Sequence, residues 1–120
     1  MQAEISKTFR FEAAHRLPNV PADHKCSKLH GHSYRVIVSV TGQVERETGW
    51  VMDFAMIKRV VEPIIEKLDH SYLNEIEGLE NPTSEMLAVW LWQRIKPHLL
   101  GLASITVSES ENTSCTYRGD

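Results

Sequence analysis

The strongest constraint in this chain is a period of two that occurs twice. From about Ala3 to Ala13, Ala3, Ile5, Phe9 and Phe11 fall on one side, with Lys7 the exception, and Glu4, Ser6, Thr8 and Arg10 fall on the other. From about His30 to Val44, Tyr34, Val36, Val38 and Val40 share a side; Ser33, Arg35, Ser39 and Thr41 share the opposite one, with Ile37 the exception. Such alternation belongs to strands with one buried face. Pro18, Pro21 and Asp23 mark the loop between them.

The rest of the chain supplies two helices and two more strands. Phe54, Ile57, Val61, Ile64 and Leu68 recur at three- and four-residue intervals behind Asp53, a suitable N-cap. Pro63 falls inside this pattern and is expected to kink or split the helix. A second helix, from about Ser84 to Lys96, carries Leu87, Trp90, Leu91 and Ile95 on one stripe and lies between Pro82 and Pro97. Near the C-terminus Ile105, Val107 and Glu109 alternate with Ser104, Thr106 and Ser108, and a last strand sets Cys115 and Tyr117 against Thr116 and Arg118. Gly49 closes a polar turn, and Trp50 to Met52 is expected to extend the sheet briefly.

The order β-β-α-α-β-β predicts an α+β fold: an antiparallel sheet with two helices on its apolar face. The other face is polar without being strongly charged, which suits a sheet that joins neighbours into a barrel with a wet interior. The 120 residues make one domain, 1–120. A core of that size is small, so oligomerisation is a reasonable supplement. A net charge of −3 gives little support to nucleic-acid binding through a broad basic surface. No apolar run is long enough to span a bilayer, so a membrane class is not expected. The N-terminal stretch has no apolar leader core, and Cys26 and Cys115 make no disulfide framework, so a reduced cytoplasm is the expected compartment.

Chemistry concentrates in CSKLHGH, Cys26 to His32. Residues i and i+2 of a strand face the same way, so His30 and His32 can converge on one metal. His15 is expected just past the end of the first strand, on the side of Phe11 and Ala13, and antiparallel pairing would bring it to the same point. Gly31 leaves backbone room between the two histidines. Three neutral imidazoles suit Zn²⁺ and leave a fourth position open, as catalytic sites do. A lone H-x-H marks ordinary histidines about as often as ligands; His15 and Cys26 nearby tilt the reading towards metal.

Cys26 admits three roles. Its spacing to His30 suits a closed structural zinc site. It also suits a buried inert thiol. Its neighbours Arg16, His24, Lys25 and Lys28 favour the third, a reactive thiol, because nearby cations favour thiolate. The same cations would attract an anionic substrate, although solvated surface charge explains them equally well. Asp69–His70, at a helix end, has the look of a base with its orienter; a helix C-terminal histidine is the commoner explanation. Glu109 continues an apolar face and so needs a partner, unless the strand end is exposed. A planar array of donors, such as a guanidine-like ring edge, would serve. Thr83 and Ser84 stand where a helix begins, with capping the commoner role and ligand binding the other.

FEAAHRL, the C-x3-HGH spacing, LDHSYLN, NPTSE and SES occur in this order across the whole chain. Together they resemble the 6-pyruvoyl-tetrahydropterin synthase family, and the C-x3-HGH spacing is similar to its bacterial 6-carboxytetrahydropterin synthase branch, which serves queuosine biosynthesis. The resemblance implies a tunnelling fold (T-fold) whose subunits join into barrels, and a hexamer built as a dimer of trimers with active sites between subunits. It implies zinc on His15, His30 and His32. It implies Cys26 as the proton-transferring thiol, assisted by Asp69 and His70, and Glu109 as the anchor of the pterin, with Thr83 and Ser84 lining that pocket. It implies 7,8-dihydroneopterin triphosphate as substrate, with Lys25 among the basic residues available to its triphosphate. The implied products are 6-carboxy-5,6,7,8-tetrahydropterin, acetaldehyde and triphosphate.

Overall fold

The computed structural model describes residues 1–120. Strands β1 (Gln2–His15) and β2 (His30–Gln43) form the antiparallel backbone of the sheet. Helix α1 (Phe54–Leu68) follows, then a two-residue strand β3 (Ser71–Tyr72), helix α2 (Ser84–Ile95), and strands β4 (Leu102–Ser110) and β5 (Thr113–Tyr117). The sheet order is β3-β1-β2-β4-β5. β3 is an addition to the expected pattern, and it pairs parallel with β1 through Ala13 and Ala14. Two residues are too few for a periodicity to be visible in sequence.

One face of this sheet meets the helices. Phe9, Phe11, Tyr34, Val36, Val38, Val40, Ile105 and Val107 pack with Ile57, Val61, Ile65 and Leu68 of α1 and Leu87, Leu91 and Ile95 of α2. Each such side chain contributes about 1.5–3 kcal/mol by leaving water. Asp53 caps α1 as expected, its Oδ1 accepting from Ala55 N at 2.9 Å. The inward stripe of α1 uses Ile65 in place of Ile64, and Phe54 stays exposed.

Pro63 does not split the helix: α1 runs unbroken from Phe54 to Leu68. The proline removes the bond that would have reached the Arg59 carbonyl. Arg59 and Pro63 both lie on the exposed side, where water can take that carbonyl. Trp50 to Met52 forms no strand; it is a bend after the turn that joins Glu45 N to Trp50 O.

The outer edge of β1 is covered only at Ala13 and Ala14, and β5 has no strand on its outer side. Both edges therefore offer unpaired backbone groups, which is the ordinary template for pairing with another chain. No helix is long and apolar enough to cross a membrane.

Candidate metal centre and active site

β1 runs two residues further than its alternation suggested, so His15 is its last residue and not the first of a loop. The cause is register: β1 and β2 stay paired to the end, with His15 opposite His30 and Ala13 opposite His32. Opposed residues share a face, so all three imidazoles project together. A ligand nitrogen from each lies within 4.8 Å of the other two. His15 Nε2 and His30 Nε2 are 3.0 Å apart. Two bonds of about 2.0–2.1 Å to a tetrahedral zinc would set such nitrogens about 3.3 Å apart, so the spacing fits with little movement.

The tautomers fit as well. His15 Nδ1 donates to the Pro82 carbonyl at 2.8 Å, and His30 Nδ1 to the Lys28 carbonyl at 2.7 Å. A proton on Nδ1 leaves the Nε2 lone pair for a metal, which is the usual outer-shell arrangement. Tyr34 Oη lies 3.1 Å from the same His15 nitrogen, and its ring stands edge-on to His15 and His32. Burial lowers the His15 pKa, opposed by the Pro82 bond and Glu109, and burial also lowers that of His32. Both effects favour the neutral imidazole that metal binding needs. Burial likewise drives the Tyr34 phenol well above its usual range, so it remains a protonated hydroxyl.

Glu109 finds the partner that its apolar side demanded. Its Oε2 is 3.4 Å from His15 Nε2 and 3.7 Å from His32 Nε2. Cys26 sits in a 3-10 turn, Lys25–Ser27, and lines a cavity with Lys25, His30 and His32. Of the four basic neighbours, Lys25 alone shares that cavity. His24 is turned to the backbone, its Nδ1 accepting from Cys26 N at 3.0 Å. Arg16 reaches towards the Ser27 carbonyl, and Lys28 is exposed.

The Asp69–His70 pair stands elsewhere. Asp69 Oδ2 is 3.0 Å from His70 Nδ1, and Asp69 Oδ1 accepts from Glu12 N at 2.9 Å. That backbone bond is the main reason the Asp69 carboxyl is held low, with His70 adding to it. His70 has a φ of 57°, which is uncommon for a residue with a side chain and is a kind of local strain that clusters at functional sites. His70 lines a cavity with Glu12, Ser33 and His32, and Cys26 is not part of its lining. Within one chain no hydrogen bond joins His70 to Cys26.

Thr83 caps α2, its Oγ1 accepting from Met86 N at 3.1 Å, and Ser84 is the first helical residue. Neither lines a cavity with the histidines; the segment reaches the histidine cluster through the Pro82 carbonyl. Gly31 is not needed for space, since a Cβ there would meet only Ala13 O at 3.5 Å. Pro82, Tyr34 and the Lys28 carbonyl are the contributors that residue types alone did not reveal. Tyr34 could have been found, because it lies two residues past His32 on the same face. Asn74 is a further support: its side chain accepts from Arg16 N at 3.0 Å and donates to Arg16 O at 2.9 Å, fixing the chain just after His15.

Residues 4–120 match the family model described as 6-pyruvoyl tetrahydropterin synthase. A relative from Synechocystis, named 6-carboxy-5,6,7,8-tetrahydropterin synthase, is 42% identical over 94% of this chain and 91% of its own length. One from Pyrococcus furiosus, named dihydroneopterin monophosphate aldolase, is 38% identical over 84% of this chain and 82% of its own. The solved structure of 6-pyruvoyl tetrahydropterin synthase from Caenorhabditis elegans superposes with a TM-score of 0.92 at 26% identity, covering 100% of this chain and 97% of that one. The five-stranded sheet with two helices is thus the α+β T-fold, and the chain belongs to the 6-pyruvoyl tetrahydropterin synthase family.

Proposed function

We propose that the protein is a zinc-dependent 6-carboxy-5,6,7,8-tetrahydropterin synthase of queuosine biosynthesis, acting in the cytoplasm. It would convert 7,8-dihydroneopterin triphosphate and water to 6-carboxytetrahydropterin, acetaldehyde and triphosphate. The observation that carries this reading is the convergence of three histidines, two of them braced by carbonyls, beside a cavity lined by Cys26. The Synechocystis relative, which is named for that activity, supports the branch.

His15, His30 and His32 would hold Zn²⁺, which when bound supplies Lewis acidity towards the oxygens of the substrate side chain. Cys26 moves a proton at a side-chain carbon, as general acid–base catalysis requires. Asp69 orients His70, which assists that transfer. Glu109 exchanges its histidine contacts for the donors of the pterin's guanidine-like edge. Thr83 and Ser84, which line no cavity with the histidines of their own chain, would line the pterin pocket of the assembled oligomer, and Lys25 would meet the triphosphate. Because Cys26 and His70 face separate cavities, the site is completed between subunits of a homohexamer, a dimer of trimers. The open edges of β1 and β5 are the surfaces through which the sheets would join into a barrel.

The Pyrococcus relative's name shows that a chain of this kind can carry a different pterin activity, and 6-pyruvoyl-tetrahydropterin formation is another. Incubation with dihydroneopterin triphosphate and mass identification of the pterin separates them. Acetaldehyde, triphosphate and 6-carboxytetrahydropterin in equal amounts are expected. A pyruvoyl product, or side-chain cleavage without the carboxylate, would reassign the branch. No turnover from the zinc-loaded protein would leave a zinc-stapled pterin-binding module.

A further inference from the structure

The register of β1 and β2 sets Arg10 directly opposite Arg35. Both belong to the sheet face that carries no helix. Directly opposed residues lie about 4.5–5.5 Å apart at Cβ, and like charges there are destabilising. Neither guanidinium is ion-paired: the chain's ion pairs are His15–Glu109, His32–Glu109, Lys58–Glu62 and His70–Asp69. Arg35 Nε is also buried without a hydrogen-bond partner, and no other buried side-chain nitrogen or oxygen is left so. An unsatisfied donor on a charged group is costly, so this arrangement asks for an acceptor.

Arg10 and Arg35 line a cavity with Ser33, Ser108 and Glu109, rimmed by Ser110 and Glu111. The nearby acids are turned elsewhere. Glu12 accepts from Ser33 Oγ at 2.6 Å, and Glu109 faces His15. Glu111 is exposed and unpaired. Ser110 Oγ is spent on Asn112 and Thr113. Two guanidinium forks and the Ser108 hydroxyl remain as free donors, with the exposed Glu111 carboxylate as the free acid of the cavity.

We propose that Arg10 and Arg35 form a binding site for a phosphate-class oxyanion, in a cavity that adjoins the histidine centre through Glu109. Planar guanidinium forks match such oxygens two at a time. One bound anion would satisfy Arg35 Nε and cancel the repulsion between the two cations. The site stands on register and on the unpaired donor, and it does not require the synthase reading. If that reading holds, the triphosphate tail of the substrate is one source of the anion and free phosphate the other.

The test is calorimetric titration of the zinc-loaded full chain with inorganic phosphate and, separately, with inorganic triphosphate, at low and high sodium chloride. The wild type is expected to bind, more weakly at high salt. Arg35→Met and Arg10→Gln should each weaken binding at least about tenfold, since each removes a charge-assisted bidentate partner, while Lys58→Gln leaves it unchanged. Thermal unfolding supplies a readout that a structural arginine pair would move the other way. Without anion, Arg35→Met should melt no lower than the wild type; phosphate should raise Tm for the wild type and not for the variant. A higher KM for the pterin triphosphate in Arg35→Met, at unchanged kcat, assigns the site to the substrate tail; an unchanged KM assigns it to the free anion. The proposal is overturned if the wild type binds neither anion, or if the double arginine variant binds as the wild type does. It is equally overturned if Lys25→Gln/Lys28→Gln abolishes binding instead, or if Arg35→Met melts lower in the absence of anion.

Discussion

His15 and His70 belong to two regions built on opposite principles. His15 is 1% exposed, packed against Tyr34 and fixed through Nδ1 by the Pro82 carbonyl and the Tyr34 hydroxyl. His70 is 79% exposed, held by Asp69 and by a backbone angle that its side chain resists. The first region is finished within one chain, because strand register and core packing do the positioning. The second is presented outward, and on the proposed reading a neighbouring subunit completes it. The lesson is that metal binding and proton transfer should separate when each region is damaged.

The largest effect is expected from His15→Ala. One of three ligands goes, and zinc should fall from one equivalent per chain towards none, with turnover lost beside it. The sheet should survive, since its strand pairing and its apolar core are built from other side chains and the backbone. Metal analysis together with circular dichroism checks both; full zinc in this variant would break the assignment of the centre.

Cys26→Ala should do the converse. Zinc stays stoichiometric and the chain stays folded, while turnover falls by about 10²–10⁴, the span of a lost general acid–base group. Loss of zinc and unfolding together would make Cys26 a structural ligand. Asp69→Asn comes next. It keeps the backbone contact to Glu12 through the amide oxygen but removes the charge facing His70, so kcat should fall more than zinc content or Tm.

How much of this was legible in sequence depends on the range of the cause. The strands, the caps at Asp53 and Thr83, and the shared face of His30 and His32 follow from local periodicity. Glu109 was legible as an anomaly, a carboxylate on an apolar side, and the structure shows the histidines as its neighbours. The end of β1 was not, because pairing with β2 extends it beyond its own alternation. Nor was the fate of Pro63, which depends on which side of α1 faces water. β3 and the Pro82 carbonyl depend on contacts across the sheet edge, which no local pattern encodes.

Acid should sharpen the same contrast in the metal-free protein. His15 and His32 have pKa values lowered by burial from 6.5, so their neutral forms favour the fold. That contribution is present above about pH 6.5 and is lost as pH falls through the lowered folded-state values. Asp69 is lowered from 3.8, chiefly by the Glu12 N–H, so its contribution is present above that pH and is lost only as pH falls through its still lower folded-state value. Tm should therefore drop first with the histidine centre and only later with the Asp69 corner. A single step below pH 4, with none near pH 6, would contradict the burial of the centre.

The smallest effect is expected from Tyr34→Phe, and it asks how finished the first region is. The ring stacks on Phe11 at a centroid distance of 4.8 Å, and Phe would keep that contact and both edge contacts to the histidines. Only Oη goes, and with it one of two oxygens beside His15 Nδ1. The Pro82 carbonyl still holds the proton there, so the tautomer should not change. The loss is one hydrogen bond, about 0.5–1.5 kcal/mol. Spread over metal binding, that is about a two- to tenfold weaker zinc affinity in a chelator competition, with Cys26-dependent turnover at saturating zinc nearly unchanged. Unaltered affinity would mean that the Pro82 carbonyl alone orients His15. A hundredfold loss would mean that Tyr34, and not Pro82, sets the tautomer.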